Sequence, residues 1–545
     1  MLQPGMRRIF IACALLGLTA LPAQVVFAQP VQSFIVKLKS ASAPTLETPQ
    51  ALQLREQQRA QGVARDLGAM QAAPDPVGTK AHLIRLDASV QGSGLAQTLD
   101  RLRQHPDVEW AEPNVRLKRM ALPNDPGFSF QWHLQAPNSF ASGLNMPAAW
   151  DKTTGTSSAT VAVLDTGVRF NHPDLAGRLH PGYDFVSEVT YANDGNGRDN
   201  DPSDPGDWVS STDLRSAAYS GCAIENSSWH GTFIAGQIAA TANNSQGIAG
   251  INWNAKVLPL RVSAKCGALL SDILDAMRWA AGLSVTGVPA NPNPAKVINL
   301  SFGGDTACTK SYQDTIDEVG RAGALVVVAA GNSSGPLTRP ADCAGVLAVG
   351  AVQADGAKTY YSDFGSNVAL SAPGGDTSPQ TLRLYSTSNS GTQGPVTDNY
   401  AYKIGTSFSA PLAAAVASLM LSVDGTLTPA QLIAKMKASA RPFVASGAYP
   451  QCGAGVTVAC NCTANTCGAG MLDANAAVIL AATSGGSVPP TTSTTSTTAT
   501  TSSGGGGGAN GLWAGLGLWA LALLALWSSR KRPTVKQANG TRLAP

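Results

Sequence analysis

Charge is scarce in this chain. Asp, Glu, Lys and Arg make up 13% of it and nearly cancel, leaving a formal net charge of +3. That excess is too small to hold a polyanion, and the central part has no run of Lys and Arg with interleaved aromatics, so nucleic acid is excluded as a partner. A glycine-rich phosphate loop ending in Lys-Ser or Lys-Thr is also missing, which removes the common nucleotide-hydrolase reading. What the chain has instead is apolar mass. Hydrophobic residues are 44% of 545, enough for a large core and too many for a disordered polymer. The length implies two to four parts.

The parts can be read off composition. Residues 1–28 have the form of a signal peptide: Arg7 and Arg8 precede an apolar run over 9–21, and Val26-Phe27-Ala28 supplies small residues for cleavage. Residues 29–120 are more charged. They alternate strand-like runs at 34–38, 82–86 and 108–114 with two helical stretches, the pattern of a small α/β unit. Over 121–483, short apolar runs at 159–164, 256–259, 297–302, 324–330 and 346–352 are separated by helical stretches. Continuous rather than alternating apolar runs mark strands buried on both faces, so a mostly parallel central sheet with helices on both faces is expected. Residues 484–510 are Ser, Thr, Pro and Gly and read as a linker. An uninterrupted apolar run at 511–527 is just long enough for a transmembrane helix, and Arg530, Lys531 and Arg532 place the tail 528–545 on the cytoplasmic side.

Export bears on the cysteines. Cys13 falls in the leader, and the other eight are an even number, which in an oxidising compartment favours disulfides. Zinc is disfavoured, because Cys460-x-Cys462 is too tight for the usual knuckle and no His lies nearby.

Four motifs at predicted strand or helix ends carry the chemistry. Residues 160–164 run into Asp165-Thr166-Gly167. Trp229-His230-Gly231-Thr232 opens a helix of small residues. Residues 326–330 run into Gly331-Asn332. Gly405-Thr406-Ser407-Phe408-Ser409-Ala410-Pro411 opens a very apolar helix. In parallel sheets, sites form beyond the carboxyl ends of strands. Helix starts favour developing negative charge, and Pro411 is tolerated in a first turn. Singly, each residue is more often a turn or a cap. Together, in the order Asp, His, Ser, they resemble the subtilisin-type serine proteases over about residues 123–482.

The resemblance implies a subtilisin-like α/β fold and a secreted serine endopeptidase acting on proteins and peptides through an acyl-enzyme. Ser407 would be the nucleophile, His230 its base, Asp165 the residue orienting His230, and the Asn332 amide with the Ser407 N–H the oxyanion hole. Ser301-Phe302-Gly303 would pair with an extended substrate, and Ala329, Ala330 and Gly331 would wall the pocket for the residue before the cut. His172, in a loop without these neighbours, is read as structural. No catalytic metal is implied, and a monomer is expected.

A structural Ca²⁺ is implied as well. Its ligands would be Asp125, Asp174, the Asn244 side chain and the carbonyls of Ala242, Gln246 and Ile248. The acidic stretch from Asp194 to Asp207, with Asp194, Asp199 and Asp201, is a second candidate, although it lacks the Glu of an EF-hand. Residues 29–120 resemble the family's inhibitory propeptide, removed by self-cleavage near Arg119-Met120-Ala121. The glycine run, apolar segment and basic tail resemble a C-terminal sorting signal of Gram-negative bacteria, read by a rhomboid-type membrane protease, with a permanent anchor as the alternative. Either way the protein is placed outside the cell or at its surface. Expected pairings are Cys222–Cys266, Cys308–Cys343 and Cys452–Cys467, leaving Cys460 and Cys462, but sequence alone leaves the connectivity open. The rivals are an inactive surface or binding protein on the same scaffold and a lipase-type serine hydrolase. The second would need a Gly-x-Ser-x-Gly elbow and the order Ser, Asp, His.

Overall fold

The computed structural model describes residues 30–40, 48–68, 75–77, 81–115 and 122–483. The expected leader (1–28), linker (484–510), apolar segment (511–527) and tail (528–545) lie outside the described residues, as does the expected cleavage point at 119–121.

The first part is a small antiparallel sheet covered by two helices. Strands β1 (Val31–Leu38), β2 (Asp75–Val77), β3 (Ala81–Val90) and β4 (Val108–Pro113) lie in the order β2-β3-β1-β4. Helix Pro49–Asp66 starts where the Thr48 hydroxyl accepts from the Ala51 N–H, with Pro at the first helical position. Helix Gly92–Gln104 buries Leu95, Leu99 and Leu102, one stripe at helical spacing. These leucines pack on Phe34, Val36 and Ile84, so this part has a core of its own.

The second part is built on a parallel sheet. In chain order its strands and hairpins are β5 (Thr160–Asp165), β6 (Tyr183–Asp184), β7 (Lys256–Arg261), the hairpin β8 (Ser263–Ala264) and β9 (Gly267–Ala268), β10 (Val297–Leu300), β11 (Leu325–Ala329), β12 (Leu347–Val352), β13 (Leu370–Pro373), and the hairpin β14 (Leu384–Asn389) and β15 (Asp398–Lys403). The seven-stranded sheet has the order β13-β12-β11-β10-β5-β7-β6, every pair parallel. Alternate residues feed two cores. Val161 and Val163 face one with helices His230–Ala239 and Thr406–Val423, while Ala162 and Leu164 face the other with helix Leu270–Ala280. This explains the continuous apolar runs. Thr406–Val423 is apolar all round and long enough to cross a membrane, yet it is a core helix, 83% buried. The subtilisin-like fold class expected from sequence is the one observed. Strands β6 and β13 were not anticipated. One is two residues long, and the other, Leu-Ser-Ala-Pro, carries neither an apolar run nor an alternation.

Two expected disulfides are present, Cys222–Cys266 and Cys308–Cys343. The third expectation is corrected: Cys452 pairs with Cys460, and Cys462 with Cys467. The cause is local. The Cys452 N–H donates to the Asn461 carbonyl at 3.0 Å, which folds that loop back on itself. A capping box on Thr463 starts the turn Ala464–Cys467 and returns Cys467 to Cys462.

His133 is fully buried beside Trp132 with neither ring nitrogen hydrogen-bonded, and burial pushes its pKa down to about 3. It is therefore neutral in the fold. The unfolded chain takes up a proton as pH falls through about 6.5, so stability is lost between that pH and about 3. Lowering the pH from 7 to 4.5 should cost about 2–3 kcal/mol through this residue. His133→Leu should narrow the difference in thermal midpoint between the two pH values. An equal drop in both proteins would contradict this account.

Candidate active site

The sheet order places three strand ends side by side. Asp165 ends β5, Ser301 follows β10, and Ala330-Gly331-Asn332 follows β11, so all face the same edge. Two helices begin above that edge. His230 is the first residue of one and Ser407 the second of the other, both at termini whose free N–H groups favour negative charge.

Asp165 is fully buried and holds His230 with both oxygens, 2.8 and 3.0 Å from Nδ1. The Thr166 N–H donates to Asp165 Oδ1 at 2.9 Å. The imidazole lies between Phe302 and Phe408, with centroids 6.0 and 5.1 Å away. Its Nε2 meets no hydrogen-bonding group among the described residues and faces the cleft. Ser407 is pinned reciprocally to Ser301: Ser407 Oγ donates to the Ser301 carbonyl at 3.2 Å, and Ser301 Oγ to the Ser407 carbonyl at 2.9 Å. The serine hydroxyl is thus parked on Ser301 rather than on His230 in this conformation.

Asn332 is oriented by Thr406, whose N–H and hydroxyl both donate to Asn332 Oδ1 at 2.9 Å. The Asn332 Nδ2 has no acceptor among the described residues, and its surroundings leave it free to donate. The Gly331 N–H reaches Thr406 Oγ1 at 3.2 Å. Gly331 has φ 115°, and a Cβ there would meet Asp363 Oδ2 at 2.1 Å, so the position needs glycine. No described residue hydrogen-bonds the backbone of Phe302 or Gly303, which leaves that segment open as a strand edge. His172 stands apart. Its Nε2 meets the Asn399 carbonyl at 2.9 Å and its Nδ1 accepts from the Asp174 N–H.

Several supporting residues escaped the sequence reading. Thr166 Oγ1 accepts from the Gly231 N–H at 3.1 Å and donates to Asp204 Oδ2 at 2.7 Å, tying the strand end to the start of the His230 helix. Asp207 accepts from the Ser228 N–H at 2.6 Å and the Ser228 hydroxyl at 2.7 Å. The Lys403 ammonium donates to the Ser228 carbonyl and lies over the Phe233 ring. Burial pushes the Asp204 carboxyl up to about 7 and the Lys403 ammonium down to about 8. Asp204 and Asp207 are the end of the acidic stretch read as a second calcium candidate, and position in the fold, not spacing, gives them this supporting role.

The rest of that stretch makes other contacts. Asp194 pairs with the buried Arg261, which also pairs with Asp184. Asp199 accepts from Asn196 Nδ2 and the Asp201 N–H, and Asp201 from the Ser203 N–H. These carboxylates serve an ion pair and successive turns.

The first calcium set does converge. Asp125 and Asp174 are buried and form no ion pair with a described Lys or Arg. Asp125 accepts from the N–H groups of Asn243 and Asn244. Asp174 accepts from Asn244 Nδ2, the Ile248 N–H and Tyr400. Burial raises the Asp174 pKa. None of the carbonyls of Ala242, Gln246 and Ile248 accepts a hydrogen bond from a described residue. Two buried carboxylates without a counter-charge and three spare carbonyls are an all-oxygen set that fits Ca²⁺.

A parallel sheet with this site at its carboxyl edge defines a serine endopeptidase. Residues 156–489 match the model of the Subtilase family, and the chain belongs to that family as a secreted serine endopeptidase. It is 40% identical, over 458 residues, to an extracellular protease of Xanthomonas campestris pv. campestris, covering 83% of this chain and 73% of the relative. An extracellular basic protease of Dichelobacter nodosus is 40% identical over 340 residues, 61% of this chain and 54% of that protein, so the chain spans about half of it. A solved protease structure from Pseudoalteromonas arctica, 43% identical, aligns with a TM-score of 0.59 over 66% of this chain and 100% of that one.

Gly231 offers a direct test of the site's geometry. A Cβ there would lie 2.2 Å from the Gly167 carbonyl and 2.9 Å from Asp165 Cβ. Gly231→Ala should push the His230 helix off Asp165 and lower kcat about 100-fold, with KM little changed. Turnover within twofold of the parent would show that this contact does not set the position of His230.

Proposed function

We propose that the chain hydrolyses peptide bonds through an acyl-enzyme on Ser407, with His230 as base, Asp165 as its orienting partner and Asn332 in the oxyanion hole. The observation that carries this reading is the buried Asp165–His230 contact at 2.8 Å, beside a serine at a helix start. A rotation of the Ser407 side chain takes Oγ from the Ser301 carbonyl to His230 Nε2. His230 accepts the hydroxyl proton as Oγ bonds to the substrate carbonyl carbon. The oxyanion that forms accepts hydrogen bonds from Asn332 Nδ2 and the Ser407 N–H. The same proton passes from His230 to the departing amine, the peptide C–N bond breaks, and the acyl group stays on Ser407. Water then repeats the sequence and releases the acid. Asp165 remains ionised throughout and stabilises the imidazolium. The free backbone at Phe302 and Gly303 supports strand-like pairing with substrate, and Ala329, Ala330 and Gly331 wall the pocket before the cut. The complete set of groups disfavours the inactive-scaffold alternative.

The reading extends to the flanks. Residues 29–120 act as an inhibitory propeptide, supported by their separate core and four-stranded sheet. The enzyme removes them itself near residue 120. Residues 504–532 act as a sorting signal for a membrane protease, supported by the glycine run, apolar segment and basic residues in series. A Ca²⁺ held by Asp125, Asp174, Asn244 and the spare carbonyls neutralises two buried charges and fastens the 242–248 loop to Asp125.

Three outcomes are expected from the full precursor expressed in a secreting bacterium. Ser407→Ala should remain at precursor size and leave casein intact, and a processed Ala form would sink the self-cleavage reading. Asn332→Ala should keep about 1/100 to 1/1000 of parental kcat. EDTA should lower the thermal midpoint of the inactive Ser407→Ala protein by about 5–10 °C, restored by added Ca²⁺. An unchanged midpoint would remove the calcium reading.

A further inference from the structure

Beside the candidate triad lies a cavity of about 850 Å³ whose walls carry more acid than base. It opens at His230, Ser228 and Phe302 and runs outward between the β8–β9 hairpin and the segment 186–228. The Cys222–Cys266 disulfide joins those two walls.

Four carboxylates line it, Glu188, Asp207, Glu225 and Asp272, against one cation, Lys265. Two of these five are already spent. Asp272 pairs with Arg198 at 2.6 Å, and Lys265 with Asp213 at 2.8 Å. The Lys265 ammonium is also held over the rings of Trp208 and Tyr219. Glu188 and Glu225 are exposed, and their carboxylates make no hydrogen bond or ion pair with a described residue. Asp207 is used by Ser228, two residues before His230, with the Lys403 charge behind it. The cavity therefore keeps an unmet negative charge in a chain whose overall balance is slightly positive.

An extended peptide presents alternate side chains to opposite faces. With the residue before the cut against Ala329, Ala330 and Gly331, the residues two and four before the cut turn the other way. The acidic cavity shares His230 and Phe302 with the site and is open to them. We propose that this cavity selects substrates with Lys or Arg two or four residues before the scissile bond, with Asp207 nearest the cut and Glu225 and Glu188 further out. The proposal rests on the triad reading above and adds the substrate class to it. Exposed charges so placed act through partly screened attraction, so the effect is moderate and salt-dependent.

The test uses processed enzyme and quenched fluorescent peptides identical except for Arg, Ala or Glu at each of those two positions. Arg should raise kcat/KM about three- to tenfold over Ala at one position or both, and Glu should lower it. The Arg-to-Ala ratio should shrink as salt rises from ~0.05 to ~0.5 M. In Glu188→Gln/Glu225→Gln the ratio should move toward one. Because each readout is a ratio within one preparation, altered yield does not affect it, and the salt series on the parent enzyme stands if the variant fails to fold. Equal rates for the three peptides, or a preference indifferent to both salt and the double substitution, would overturn the proposal while leaving the protease reading intact. An enzyme that cuts none of the three, nor casein, would fail the triad reading and this one with it.

Discussion

The site depends on one carboxylate that has no access to water. Asp165 ends a strand buried on both faces, and an unpaired charge there would cost several kcal/mol. It is held by the His230 ring and the Thr166 N–H. Everything close by follows from keeping that pair in register. Gly231 has no Cβ because the Gly167 carbonyl needs the space. Trp229 takes a left-handed conformation, φ 50°, a costly choice for a bulky residue, and its indole N–H anchors on the Gly391 carbonyl. That turn aims the first residue of the helix at the end of the strand.

A second layer of charge sits behind the first. Asp204 receives the Thr166 hydroxyl, Asp207 receives Ser228, and Lys403 reaches the Ser228 carbonyl. Lys403 lies on β15, four residues before Ser407. The lysine therefore links the segment that carries the nucleophile to the segment that carries the base. Burial, with Asp207 beside it, drives Asp204 toward its neutral form, and burial drives Lys403 toward the free amine, a drift that Asp207, Asp165 and Asp204 oppose. The same acidic surroundings extend outward into the cleft, where they meet substrate instead of a lysine.

Much of this was legible in the sequence, for physical reasons. Strands β5, β10, β11 and β12 are buried on both faces, so they read as apolar runs. The triad motifs sit at strand and helix ends, where Gly, Asp and Ser stand out against apolar neighbours. What could not be read has one common cause, the dependence on distant partners. Arg261 pairs with Asp194 from 67 residues away, which the spacing of the acidic stretch does not show. The backbone bond between Cys452 and Asn461 decides the pairing of four cysteines that spacing leaves ambiguous. Thr166 and Thr406 look like ordinary turn residues until the fold brings Asp204 and Asn332 to their hydroxyls.

The central claim is that Ser407 is a nucleophile made reactive by His230. It is tested most directly by treating the processed enzyme with a fluorophosphonate and locating the adduct by peptide mass mapping. The account predicts a single adduct, on Ser407, that forms in step with loss of peptidase activity and is lost in folded His230→Ala protein. An adduct on another residue, or a peptidase that stays active and unlabelled, would contradict it.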